Sequence, residues 1–246
     1  MHPAELIGIG AVGYPASLAS IPSPPKTLWV RGTVPPVRAV AIVGTRTPTP
    51  FGRRVAAVAA TGAIRAGLAV VSGLAAGIDT VVHESALEAG GPSWAVLGSG
   101  VDIPTPASNT ALAEAILERG GGLIAEVPPG TPVTRGQLVA RDRIQSGLSL
   151  AVVVCQCETT SATMHTARFA LLQKRLLVVV RPRGDQGALA SNGGTIALSD
   201  PNGCDPELLS ATGEEAKLIR RRRPVADLVV EDLDELGLLW DQLSTV

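Results

Sequence analysis

Gly44-Thr45-Arg46 sets a tight-turn glycine, a hydroxyl and a guanidinium fork side by side. A phosphate wants that set: backbone that can come close, an O–H, and paired N–H groups in one plane. The same tripeptide also suits a plain strand-to-helix turn with a solvated arginine. Gly73, Gly77 and Gly98-Ser99-Gly100 add turns whose backbone N–H groups, at the starts of helices, could meet an anion. Arg141 and Arg143 flank Asp142. Two arginines two apart on a helix diverge, so one faces a sheet-end crevice and the other pairs with a carboxylate. No stretch completes G-x-G-x-x-G or a P-loop, and no cofactor is expected.

Other reactive side chains read as structural. Asp79 falls in the first turn of a helix, where the dipole favours a carboxylate. His83 and His165 sit on helices without a metal-type residue at i+4, which argues for ordinary helical histidines and no metal site. Gly98-Ser99-Gly100 lacks the G-x-S-x-G frame, so no catalytic residues are assigned and no enzyme activity is expected. Cys155 and Cys157 alternate on an expected strand, pointing to opposite faces as buried thiols, and Cys204 leaves the set odd. A reducing, cytoplasmic setting fits. No basic leader or membrane-length apolar run is evident, so no membrane association is expected.

Short apolar runs ending in glycine and followed by helical spacing must position these groups. Strands are expected at Ala39–Val43, Leu68–Val71, Trp94–Leu97, Leu123–Ala125, Leu150–Cys155 and Arg175–Val180. Helices are expected at Phe51–Ala66, near Ile78–Ala89, near Ser108–Arg119, at Leu138–Gly147 and at Ser161–Gln173. Strand-then-helix repetition predicts an α/β fold: a doubly wound, mostly parallel sheet with helices on both faces. Ligands of such sheets bind at the carboxyl ends of the strands. Residues 1–38 read as an arm lying over the sheet, with Thr27–Arg31 a short edge strand. Residues 39–204 read as the main domain, with a loop over 184–194 and a terminal strand at Thr195–Leu198. Residues 205–246 read as an extension too short for a core of its own.

The 246 residues carry a formal charge of −1, which hides an asymmetry. From Asp205 onward there are 10 acidic and 5 basic side chains, leaving 16 basic against 12 acidic before it. A mildly basic body suits an anionic ligand without the signature of a dedicated duplex reader. Aromatic residues make up only 2 % of the chain, so a bound nucleic acid would be gripped through phosphates more than by stacking. The run Arg220–Arg223 reads as solvated and irregular, with a phosphate contact as the sharper alternative.

Several stretches together resemble the DprA/Smf DNA-processing family. They are Ala41-Ile42-Val43-Gly44-Thr45-Arg46, Val71-Ser72-Gly73-Leu74-Ala75-Ala76-Gly77-Ile78-Asp79, Ala95-Val96-Leu97-Gly98-Ser99-Gly100-Val101-Asp102, Glu126-Val127-Pro128-Pro129-Gly130-Thr131-Pro132 and Arg141-Asp142-Arg143-Ile144. The resemblance implies an extended Rossmann-like fold, a single-stranded DNA pocket at strand ends, a homodimer, and a partnership with the RecA recombinase in natural transformation. Carried onto this chain, the phosphate-pocket positions are Gly44, Arg46, Ser72, Gly73, Gly77, Arg141 and Arg143. Thr45, Gly98 and Ser99 join them from the turn chemistry.

The departures sharpen this. Leu138 and Thr105 stand where the family carries Phe and Tyr, and Asp142 replaces an Asn beside the proposed pocket. A carboxylate about 4 Å from a phosphate offsets roughly 1–4 kcal/mol of attraction in wet surroundings. A small phosphorylated ligand needs the anion pocket without a stacking platform, so a nucleotide-sensing or nucleotide-processing protein of the same broad superfamily is the second reading. A third gives the acidic C-terminal segment a docking role, with Leu228, Leu233, Leu236 and Leu239 forming an amphipathic face that meets a partner or folds back on the body.

Overall fold

The computed structural model describes residues 3–182 and 191–245. One sheet of nine strands organises them, in the order β1-β2-β6-β5-β4-β3-β7-β8-β9. Its centre is β3 (Ala39–Gly44), followed through α2 (Pro50–Arg65) by β4 (Ala69–Ser72), through α3 (Ile78–Glu88) by β5 (Ser93–Leu97), and through α4 (Thr110–Glu118) by β6 (Gly122–Ala125). The chain then returns through α5 (Arg135–Gly147) to the other side of β3. There it lays down β7 (Ala151–Gln156), α6 (Thr163–Leu172) and β8 (Leu176–Val180). All these strands run parallel.

Both sheet faces are covered, which is why the strands read as unbroken apolar runs. Alternation decides which side chain goes where. Val40, Ile42, Val70, Val153 and Val178 meet α2 and α3 on one face. Ala41, Val43, Val152, Val154 and Val179 meet α6 on the other. Cys155 and Cys157 fall in these opposite clusters as free thiols, and burial raises the pKa of Cys157 to about 12. They are core residues.

The ends of the chain differ from expectation. Residues 3–38 both extend the sheet and cover it: α1 (Ala16–Ala19) packs on it, with Leu18 and Ile21 buried in a cluster beside Val71, Val96 and Ile144. β2 (Thr27–Gly32) pairs antiparallel with β6, and a strand absent from the sequence reading, β1 (Ala4–Gly8), pairs outside it. Thr27–Arg31 is therefore one strand in from the edge.

The terminal strand expected at Thr195–Leu198 is a helix, α7 (Gly193–Ser199). Gly194 packs without a Cβ against Cys157, and the Thr195 hydroxyl donates to the Asn192 carbonyl at 2.8 Å. A short apolar run has no periodicity that separates strand from helix. Of the loop expected over 184–194, residues 184–190 lie outside the described residues, and Gly193 and Gly194 open α7.

The arginine run is more ordered than expected. Arg220 ends α8 (Gly213–Arg220), and Arg222 pairs with Asp227 while its Nε donates to the Val225 carbonyl at 3.2 Å. After it, β9 (Leu228–Val230) adds a parallel strand beside β8, and α9 (Asp234–Ser244) folds back on α2. Leu236, Leu239 and Trp240 of α9 join the core formed by α2 and α3, so the amphipathic face is spent on this chain, away from the carboxyl ends of β3 and β7. Leu228 lies in β9 instead, half exposed.

Candidate functional site

The strand order reverses between β3 and β7, and a parallel sheet opens a crevice at the carboxyl ends of such a pair. Here it is a cleft of about 570 Å³. Its walls are Gly44-Thr45-Arg46 from the end of β3, Ala75 and Asp79 at the start of α3, Val133 to Asp142 along the first half of α5, and Glu158 to Thr166 leading into α6. Three helix N-termini thus meet around it, each with a partial positive charge.

The Gly44 turn is held from both ends. Thr45 N–H donates to the Gln156 carbonyl at 2.8 Å, and the Thr45 carbonyl accepts from Ile78 N–H at 3.0 Å. The Gln156 amide oxygen accepts from Thr49 N–H at 3.0 Å, and Thr49 caps α2. Gly77, at φ +88°, has no room for a Cβ, which would stand 2.5 Å from the Thr45 and Arg46 carbonyls. The Thr45 hydroxyl accepts from Thr47 N–H at 3.3 Å, closing a local turn. Arg46 is left at the exposed tip, with no hydrogen-bond or ion-pair partner among the described residues. It is a free cation on a fixed loop.

Arg141 lies deeper. Its side chain is buried; Nη1 donates to the Val96 carbonyl at 2.8 Å, Nε stands 3.1 Å from Asp142 Oδ1, and Nη2 stands 3.8 Å from Asp79 Oδ2. Gly73 admits it: a Cβ there would lie well inside contact distance of the guanidinium. Gln145 completes the group when its amide is oriented by its neighbours, the nitrogen then donating to Asp142 at 3.1 Å and the oxygen accepting from Gly73 N–H at 2.9 Å. Asp79 also accepts from Ala75 N–H at 3.2 Å, tying the second glycine turn to the cluster.

Two carboxylates around one guanidinium leave the buried group short of positive charge. Burial raises the Asp142 pKa to about 7, with Arg141 opposing the rise and Asp79 adding to it. Burial raises Asp79 as well, against Arg141. A carboxyl raised in the folded state is best tolerated below its ordinary value of 3.8, and that stability is lost as pH climbs through about 7. Thermal melts of the wild type should therefore fall between pH 5 and pH 8. Asp142→Asn should flatten that slope and gain on the order of 2–4 kcal/mol at pH 8, at about 1.4 kcal/mol per pKa unit. A slope unchanged in the variant would contradict this assignment.

The remaining candidates are placed elsewhere or act indirectly. Arg143 does not line the cleft: its guanidinium bonds Glu126 at 2.7 Å and the carbonyls of Ser23 and Ala140. The Ser72 hydroxyl is buried and donates to the Ile42 carbonyl at 2.8 Å, holding β4 to β3. Ser99 turns back to the Ile103 carbonyl at 2.7 Å, and Gly98 is backed by Leu138. Thr105 likewise donates to Ile103 and does not reach the cleft. His83 is a core histidine against the Ser93 hydroxyl at 3.0 Å, its pKa lowered to about 3 by burial and Arg141.

Thr134, Arg135 and His165 also line the cleft, none of them a site candidate in the sequence. Thr134 caps α5 by accepting from Gln137 N–H at 3.3 Å, which starts the helix at Arg135 rather than Leu138. Arg135 thereby stands exposed in the first turn, on the cleft wall. His165 lines the opposite wall, its pKa lowered by burial and by Arg168 and Arg135. No Phe, Tyr or Trp among the described residues lines the cleft. Among the described residues, no group of three or more His, Cys, Asp or Glu could hold a metal, and no helix is long and apolar enough to cross a membrane.

The family described as DNA recombination-mediator protein A matches residues 5–199. Protein Smf of Synechocystis is 40 % identical over 163 residues, which cover 64 % of this chain and 41 % of that protein. The chain spans about half the length of the curated relatives it matches. DNA processing protein A from Streptococcus pneumoniae superposes with a TM-score of 0.68 at 28 % identity, over 78 % of this chain and 73 % of that one. The Helicobacter pylori protein, whose structure is described for its single-stranded DNA binding mode, shares the fold at a TM-score of 0.71 and 22 % identity, over 98 % and 97 % of the two chains. The pinned Gly44-Thr45-Arg46 turn, the glycine that admits Arg141 and the nine-stranded sheet thus occur in a chain that belongs to the DNA recombination-mediator protein A family, the DprA/Smf proteins.

Proposed function

We propose that this chain binds single-stranded DNA through its phosphates, in the cleft between β3 and β7, as a recombination or uptake factor and not as an enzyme. The unpaired Arg46 guanidinium on its fixed loop carries the reading. Gly44 and Thr45 shape that loop, Arg135 adds a second exposed cation across the cleft, and Arg141 backs the site from below. Gly73 and Gly77 act by making room, and Ser72 by joining strands. Without aromatic rings in the cleft, base identity should matter little.

A salt titration tests the reading. Binding of a thymidine 20-mer should weaken steeply as salt rises, each phosphate contact adding about 0.7 to the slope of log K against log salt. Thymidine and adenosine strands should differ by only a few-fold. No measurable binding at low salt would remove this function. A homodimer and an encounter with RecA accompany the family resemblance, and sedimentation of the full chain and a binding assay with purified RecA address them separately.

The lack of aromatic rings and the size of the cleft, within the usual range for small-molecule pockets, favour one second reading: a site for a small phosphorylated nucleotide. Selective thermal stabilisation by one nucleotide, with none by oligonucleotide, would replace the first reading with this one.

A further inference from the structure

We propose that Asp142, together with Asp79, makes the cleft selective for the singly charged phosphodiester of a strand's interior and against doubly charged terminal phosphates, whether on a strand end or on a free nucleotide. The inference rests on the reading of the cleft as a phosphate site, and it names which phosphate.

Among the described residues, Arg141 is the only cation in the buried group, and it stands between Asp142 at 3.1 Å and Asp79 at 3.8 Å, with one nitrogen already committed to the Val96 carbonyl. When both carboxylates are ionised, the floor of the cleft is net negative. Arg46 and Arg135 at the mouth are the cations left for a ligand, and the exposed Glu158 sits on the rim.

A phosphodiester brings one negative charge, which matches what those two cations leave once Glu158 on the rim offsets one of them. A terminal phosphate carries nearly two above its second pKa near 6. The second charge faces a buried carboxylate group that water screens poorly, and repulsion scales with the product of the charges. At separations of about 6 Å and an effective dielectric near 20, that is worth roughly a tenfold loss or more in affinity.

Proton uptake gives the same groups a second signature. Asp142 is faced by Arg141 from its own helix, by Asp79 from α3 and by Arg46 from the β3–α2 loop, while the neutral His83 lies behind Arg141. Burial holds the Asp142 pKa at about 7, so this carboxyl is charged at pH 8 and mostly protonated at pH 6. A phosphodiester keeps its single charge over that range, so only the protein titrates.

Calorimetric titration of the full chain at low salt and pH 8 tests this, with tetrathymidylate bearing either a 5′-hydroxyl or a 5′-phosphate. The wild type should gain nothing from the 5′-phosphate. Asp142→Asn should tighten the 5′-phosphorylated strand about tenfold more than it tightens the 5′-hydroxyl strand. Asp142→Ser should repeat the pattern if the asparagine variant folds poorly. Without any variant, wild-type affinity for the 5′-hydroxyl strand should fall as pH rises from 6 to 8.

Tenfold tighter wild-type binding of the 5′-phosphorylated strand at pH 8 would overturn the proposal, as would an equal gain on both strands in Asp142→Asn. If neither tetramer nor a thymidine 20-mer binds at low salt, the phosphate-cleft reading itself falls and takes this inference with it. Strand binding without discrimination defeats the inference alone.

Discussion

Arg141→Leu should cost about 3–5 kcal/mol of stability at pH 8, the scale for removing one partner of a buried ion pair. Leucine restores apolar volume but leaves Asp79 and Asp142 buried without their cation, and the Val96 carbonyl without its donor. The cost should depend on pH in a definite direction. Both carboxyls already sit above their ordinary value through burial, and Arg141 is the largest influence pulling each back down. Without it they protonate more readily, so the penalty shrinks as pH falls. Urea unfolding at pH 8 and pH 5 should give a loss at the lower pH less than about half that at the higher. Equal losses would mean that packing, not charge, is what Arg141 supplies.

Arg46→Glu should leave folding within about 1 kcal/mol of wild type, since the side chain is exposed and acts on Asp79 and Asp142 only through space. Its effect belongs to binding. A charge-assisted phosphate contact is worth about 1.5–3 kcal/mol, and reversal adds repulsion, so affinity for a thymidine 20-mer should fall at least tenfold and up to about a hundredfold. Arg46→Ala should lose less and lower the salt slope by about 0.7. The contrast between the two arginines is informative. Arg141 is costly to the fold because it is enclosed, while Arg46 is cheap to the fold because it is exposed and reaches the two carboxylates only through space.

Much of the fold is legible in the sequence because burial on both sheet faces leaves a local mark. Val40 to Val43, Val152 to Val154 and Leu177 to Val180 have no polar interruptions, and a glycine or small polar turn closes several of the runs. What is not local is not legible. β1 has five residues, Leu6 is more than half exposed, and only pairing with β2 makes it a strand. Gly193–Ser199 carries no period that distinguishes helix from strand, and its identity comes from packing on Cys157.

At the site, the turn chemistry of Gly44-Thr45-Arg46 is readable because all three groups are neighbours in sequence. The roles of Arg141 and Arg143 are not. Their divergence follows from helical geometry, but which one turns inward depends on where α5 crosses the sheet. Gly73 is the clearest case. Its absent Cβ makes room for a guanidinium 68 positions away, and nothing near it in sequence says so. Arg135 had a local signal in Thr134, whose capping hydroxyl opens the helix three residues before the apolar spacing does.

The most direct test of the cleft as the phosphate site is to titrate tetrathymidylate into isotope-labelled full chain and follow the backbone amide resonances. The largest shifts should fall at Gly44 to Arg46, Thr134 to Leu138 and Ser161 to His165, three of the walls that meet at the carboxyl ends of β3 and β7. Shifts centred instead on the exposed arginines at 220–223 or on the β1 edge, with the cleft amides unmoved, would contradict it.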